Sequence, residues 1–267
     1  MRKAADAAEE ASNSRTLRIA ARAGYAVSGV FHVLIGVIAF QLAFGPSGEA
    51  DVSGAVAQLA AQPVGPLLLW ASFGACAALA LWQLGNGILG YRKAADNKPA
   101  KRLSAITQAI VFAGLAATIM SFVLGRGHNS RAAASDVTVT LMRAPFGILL
   151  LLGIGAAVMI TGVVFAVRGF RRTFTKDLAL SPHRAPRKFQ LVVGIVGYIA
   201  KGIALLLVGL LVIIATVRAQ PEQSTGLDGS LRALKEQPYG PYLLAAVALG
   251  LIAYGLFLMV KARTLKT

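Results

Sequence analysis

The chain has 267 residues, of which 56% are apolar and 14% charged, with a formal net charge of +16. A soluble domain of this size carries about 25% charged residues, so the composition argues against a soluble globular protein. The lone cysteine, Cys76, leaves no intrachain disulfide or cysteine metal cluster and reads as a buried structural thiol.

Residues 1–20, "MRKAADAAEEASNSRTLRIA", have no apolar core and read as a solvated, partly helical tail, not as a cleavable signal. Six apolar runs follow: Gly24–Phe44, Gly65–Tyr91, Leu103–Leu124, Phe146–Val167, Phe189–Val217 and Gly240–Val260. Each is about 20 residues or longer, enough to cross a hydrocarbon core as a helix. A backbone in lipid must satisfy its own hydrogen bonds, and these runs are too long for barrel strands. The predicted fold is therefore all-α, a polytopic membrane protein of six transmembrane helices.

The runs repeat. "GYAVSGVFHVLIGV" opens the first at Gly24, and "GYIAKGIALLLVGL" opens the fifth at Gly197. "QPVGPLLL" (Gln62–Leu69) recurs as "QPYGPYLL" (Gln237–Leu244). A weaker middle copy has "SAITQAIVFAGLAA" from Ser104 and "APFGILLL" from Ala144. The chain thus reads as three helical-hairpin repeats: repeat 1 at 21–92, repeat 2 at 102–170, a basic loop at 171–188, and repeat 3 at 189–264. Each repeat has two spans, so all three run the same way, and a closed ring would have approximate three-fold pseudo-symmetry about the membrane normal. No inverted pair of the kind that rocks in many transporters is visible.

Each hairpin carries a connector whose second half looks helical: "DVSGAVAQLAAQP", "SDVTVTLMRAP" and "DGSLRALKEQP". Asp51 or Ser53, Ser135 or Asp136, and Asp228 are candidate caps. Pro63, Pro145 and Pro238 end these short helices before the next span. They are expected to form a lid on the extracytoplasmic face.

Lys and Arg crowd the tail, the loops after spans two and four, and the C-terminus, whereas the loop after span one has none. By the positive-inside rule both termini are cytoplasmic, in a bacterial inner (cytoplasmic) membrane. The charge is then a belt facing anionic lipid heads, not a nucleic-acid footprint. In the loop 171–188, Arg171, Arg172, Lys176, Arg187 and Lys188 are candidate lipid-surface residues, and Phe170 and Phe174 are placed to dip into the interface.

Three tandem hairpins, each with a Gly-Tyr-x(3)-Gly start and a Pro-x-Gly before the second span, resemble a bacterial, mainly actinobacterial, membrane family catalogued as domain of unknown function 1206. The resemblance covers about residues 20–264. The middle copy departs from it, with Ser104 and Ala105 in place of Gly-Tyr. It implies an integral membrane protein and no activity, so it carries over no catalytic residue.

On a helical wheel, Tyr25, Ser28, Gly29, His32 and Gly36 share one arc, as do Tyr198, Lys201, Gly202 and Gly209 in repeat 3. Gly29 and Gly36, and Gly202 and Gly209, are spaced to keep a seam of small residues where helix backbones approach closely. They are predicted helix-packing residues, forming the contact face of the hairpin. Ser28, Gln108 and Lys201 are repeat-equivalent. With Tyr25, Tyr198 and His32 they form a candidate central polar cluster, which Gln83 and Asn86 are placed to join. An ionisable residue inside a span points to function. Lys201, however, lies six residues inside a boundary near Ile195, about 9 Å of helix, and a lysine stem can snorkel that far. A ligand contact and a snorkelling lysine both remain open.

None of the 11 Asp and Glu residues lies in a span, against the usual need of a cation-coupled or proton-pumping mechanism. With His32 the sole histidine in a span, bis-histidine haem ligation is excluded. No zinc motif, Walker loop or hydrolase constellation is present. No catalytic residue, cofactor or metal is expected. The expected function is a non-enzymatic accessory, scaffold or lipid-contacting module. Its expected partners are the lipid bilayer, anionic lipid and other membrane proteins, with no nucleic acid. The alternative is a passive channel or carrier for a small neutral or anionic solute.

Overall fold

A computed structural model of the protein describes residues 15–45, 48–89, 99–177, 184–219 and 226–264. Its helices are α1 (Arg15–Phe44), α2 (Val52–Ala60), α3 (Gly65–Leu89), α4 (Pro99–Val123), α5 (Ser130–Arg143), α6 (Gly147–Phe170), α7 (Arg184–Val217), α8 (Gly226–Lys235) and α9 (Gly240–Thr264). Six of them, α1, α3, α4, α6, α7 and α9, are long and apolar enough to cross a membrane. Most of the predicted tail lies outside the described residues, and from Arg15 the chain is already part of α1. The predicted loop 171–188 is partly helical. A 3-10 turn spans Thr173–Asp177, residues 178–183 lie outside the described set, and Arg184 already belongs to α7.

Local chemistry sets the ends of these helices. Pro99 opens α4, where its missing N–H costs nothing. Gly125 ends it at φ 69°, and the Arg126 amide reaches back to the Ser121 carbonyl at 2.9 Å, closing the last turn. Each short connector helix leads into the next span through the same turn. Gly65, Gly147 and Gly240 donate to the carbonyls of Gln62, Ala144 and Gln237 at 2.8, 3.0 and 2.7 Å. Phe146 and Tyr239, after their prolines, take positive φ, as the third position of a type II turn requires.

The three repeats are related by an approximate three-fold axis. Their main seams do not lie within the hairpins. The second span of each repeat packs on the first span of the next: α3 on α4, α6 on α7, and α9 back on α1. The glycine ladder lies on these seams. A Cβ on Gly29 would sit 2.7 Å from the Gly255 carbonyl oxygen, and one on Gly36 2.8 Å from that of Ala248, both in α9. Gly202 and Gly209 meet Gly162 and Gly155 of α6 in the same way, each with a Cβ-to-oxygen distance of 2.7 Å. The predicted packing face is thus a contact between repeats. Of the ladder glycines, the opening ones face inside the hairpin, Gly24 against Leu79 of α3 and Gly197 against Tyr254 of α9. A connector that runs as its own helix frees the second span from lying flush against the first.

The symmetry breaks at repeat 2. Within the hairpins, α1 packs on α3 and α7 on α9, whereas α4 and α6 barely touch. The six spans therefore form an arc, in the order α4, α3, α1, α9, α7, α6, open between its ends. Val111 of α4 is 61% exposed, while its repeat equivalents Phe31 and Ala204 are 2% and 3% exposed.

The short helices α2, α5 and α8 cover one face of the bundle. Asp51 caps α2, accepting from the Gly54 amide at 3.0 Å. The predicted caps Ser135 and Asp136 instead lie inside α5, which starts earlier and is capped by Asn129, accepting from Ala132 at 2.9 Å. Asp228 is no cap either, since α8 begins at Gly226. Its buried carboxylate accepts from the Ala50 amide at 2.9 Å and from Arg232 Nε at 2.8 Å. Arg232 and Lys235 also donate to the carbonyls of Gly48 and Gly45, at 2.7 and 2.9 Å. Repeat 3 is thereby tied to the connector of repeat 1, and Ser53 accepts from the Ser130 amide of repeat 2 at 3.3 Å. The lid closes by polar bonds outside the apolar layer.

Candidate functional site

The polar cluster lies in the half of the bundle nearer the chain termini. Its centre is Lys201 of α7. His32 Nδ1 sits 2.7 Å from the Ser28 carbonyl oxygen one turn earlier in α1. A carbonyl can only accept, so Nδ1 carries the hydrogen and Nε2 presents its lone pair outward. Lys201 Nζ donates to that lone pair at 3.3 Å. It also lies 4.2 Å from the ring centroid of Tyr254 and 5.1 Å from that of Phe165, where the ring faces attract a cation. No acidic residue lies in any span, so an imidazole lone pair and two aromatic faces hold this amine, not an ion pair.

The other predicted members divide. Gln108 does not reach Lys201. Its carbonyl oxygen accepts from Gln83 Nε2 of α3 at 2.6 Å, and its own amide donates to Ser104. Ser28 is buried, and among the described residues its hydroxyl forms no hydrogen bond with either. The three equivalent positions therefore do not converge, because they lie on the seams and not on the axis. At one seam the contact is Gln83 with Gln108, and at the next it is Phe165 with Lys201. At the third the equivalent pair is the buried Leu258 and Ser28. Asn86 Nδ2 is buried without a hydrogen-bond partner among the described residues.

Toward the axis stand His32, Phe112 and Leu205, again repeat equivalents. Tyr25 meets Phe112 edge-on at 6.1 Å, and Lys261 Nζ lies 4.4 Å from the Tyr25 ring centroid. Tyr198 stacks between Phe165 and Phe174, at 5.4 and 5.2 Å. Phe174 corrects an expectation. It does not dip into the interface but is fully buried against Gly194, Tyr198 and Phe257. The 3-10 turn places it there, and it pins the loop to the bundle. Phe170 stays exposed, as do Arg171, Arg172, Arg187 and Lys188, while the side chain of Lys176 lies outside the described residues.

Sequence reasoning missed Tyr254 and Phe165, the walls of the Lys201 site. Tyr254 is equivalent to Leu79 and Thr161, so the repeat gave no signal for an aromatic there. Among the described residues no three His, Cys, Asp or Glu side chains gather as metal ligands. The arrangement can hold and orient one amine.

The family model described as Domain of Unknown Function (DUF1206) matches the chain three times, over residues 23–90, 103–172 and 196–265. An uncharacterized protein of Bacillus subtilis strain 168, YxxB, is 29% identical over 247 residues, covering 90% of this chain and 88% of that protein. No solved structure matches.

Proposed function

The chain belongs to the DUF1206 family, which is described by its repeat and by no activity, and from that premise we propose that it is a non-enzymatic membrane module, an accessory or scaffold that works by contacting lipid and other membrane proteins. The observation that carries this reading is the side-chain filling between the three first spans. Tyr25, Ala105 and Tyr198 are buried in one layer, and in the next Phe112 is buried while His32 and Leu205 are half-buried. Ala39 and Ile119 are fully buried beyond them. A passive channel or carrier needs a hydrated path, and these layers oppose one.

We place the termini face in the cytoplasm and the α2, α5, α8 lid outside, in a bacterial inner membrane. The exposed arginines and lysines of the termini face support this orientation, at about 1 kcal/mol for each one near an anionic leaflet. The purified protein in vesicles tests the module reading. Trapped chloride and a trapped neutral solute such as glycerol should leak no faster than from empty vesicles. Flux that rises with protein content would overturn it.

A further inference from the structure

The opening between α4 and α6 is graded in chemistry from the lid toward the termini. Nearest the lid its walls are apolar: Val111 and Gly114 on α4, Ile154 on α6, all exposed. Next come hydroxyls, from Ser104 and Thr107 on α4 and Thr161 on α6, also exposed. At the termini end stands the exposed Arg168 of α6. Ile154, Thr161 and Arg168 are seven residues apart and so lie on one helix face. Their equivalents in the other repeats include Leu79 and Tyr254, which are buried inside closed hairpins.

Repeat 2 has also lost bulk at this surface. Gly114 stands where repeats 1 and 3 have Leu34 and Leu207, and a Cβ built on it meets nothing within 4 Å. No carboxylate in either span opposes Arg168. Arg102 turns away from the opening, donating to the carbonyls of Gly87 and Ile88 of α3 at 3.0 and 2.7 Å.

We propose that this cleft binds one anionic phospholipid, with an acyl chain along Val111, Gly114 and Ile154, its ester region beside the hydroxyls, and its phosphate at Arg168. Apolar, hydroxyl and guanidinium surfaces in that order match tail, glycerol and head. A partner helix could also pack on glycine and hydroxyl residues, but it would bring no phosphate to the guanidinium at the termini end. Arginine suits the head because its planar donors pair with phosphate oxygens. The inference deepens the lipid-contacting part of the module reading and rests on it. The two fail separately, since solute flux would sink the module reading and leave a bound lipid in place.

Native mass spectrometry of the full chain, delipidated in mild detergent, tests the proposal with phosphatidylglycerol and phosphatidylcholine of identical chains. The wild type should be a monomer that takes up one phosphatidylglycerol, at least tenfold more tightly than phosphatidylcholine. Gly114→Leu fills the tail channel without a clash and should weaken both lipids about tenfold. Gly74→Leu, on α3 and equally open, should change neither. Arg168→Gln should keep uptake but erase the preference for the anionic lipid. Equal affinity for the two lipids in the wild type would overturn the proposal. So would Gly114→Leu behaving like Gly74→Leu, or a dimer that Gly114→Leu dissociates.

Discussion

Lys201 and His32 show how a cationic side chain is held inside an apolar bundle without a counter-ion. The imidazole is oriented by its bond to the Ser28 carbonyl, and its remaining lone pair is the acceptor for the amine. His32→Ala removes that acceptor, and leaving a buried donor unpaired costs about 1–3 kcal/mol. Lys201→Met keeps the bulk and removes the donor, so it should cost little. The double variant should be more stable than the sum of the singles, by at least about 0.5 kcal/mol. Thermal unfolding of the four proteins in one detergent measures this coupling. Strict additivity would mean that the pair does not interact. The identity of these two residues as the polar centre was legible, because charge and histidine are rare within spans. Their pairing was not. Helical periodicity gives the direction a side chain points along its own helix, but not which neighbouring helix it meets.

Among the elements, the same limit governs the glycine ladder. The spacing of Gly29 and Gly36, and of Gly202 and Gly209, announces a close approach of two backbones. The partner comes from the arrangement of repeats, and it proves to be the second span of the preceding repeat, α9 or α6. Gly29→Leu or Gly202→Leu should overpack a seam, at about 1–3 kcal/mol each. Gly74→Leu and Gly114→Leu, which meet open space, should leave folding intact. Folded yield by size-exclusion chromatography separates the two groups, and equal yields would place the ladder on lipid. The lid makes a different prediction. Asp228→Ala leaves the Ala50 amide and Arg232 without their carboxylate. Hydrogen exchange at Ala50 should then quicken at least tenfold while that of α3 is unchanged. Exchange at Ala50 as slow as in the parent would show that the lid is held otherwise. The lid helices themselves were readable from their capping side chains and prolines. The start of α5 was not, because Asn129 lies well before the segment that looked helical.

At the scale of the whole molecule, six spans and three repeats follow from hydropathy and self-similarity alone. The break in the ring was foreshadowed in the middle copy, where Ser104 and Ala105 replace Gly-Tyr. What this meant for packing was not readable, since a weakened motif fits either a looser contact or a different one. Orientation is a separate matter, and cysteine labelling decides it. With the termini inside, His128→Cys should react with an impermeant thiol reagent added outside intact cells, and Arg263→Cys should react only after lysis. The reverse pattern would invert the protein. Cys76 is buried and serves as the blank.

The central claim is that the axis of the bundle is packed and dry. Ala39 lies two turns beyond His32 on the same side of α1, and Leu205 is the equivalent of His32 in α7. Single cysteines at these positions, Ala39→Cys and Leu205→Cys, can be challenged with a small water-soluble thiol reagent from both sides of the membrane, against His128→Cys as the reactive standard. The account predicts that neither axial cysteine reacts from either side until the protein is denatured. Modification of either one in the folded protein at a rate near that of the standard would reveal a hydrated path through the three repeats and contradict it.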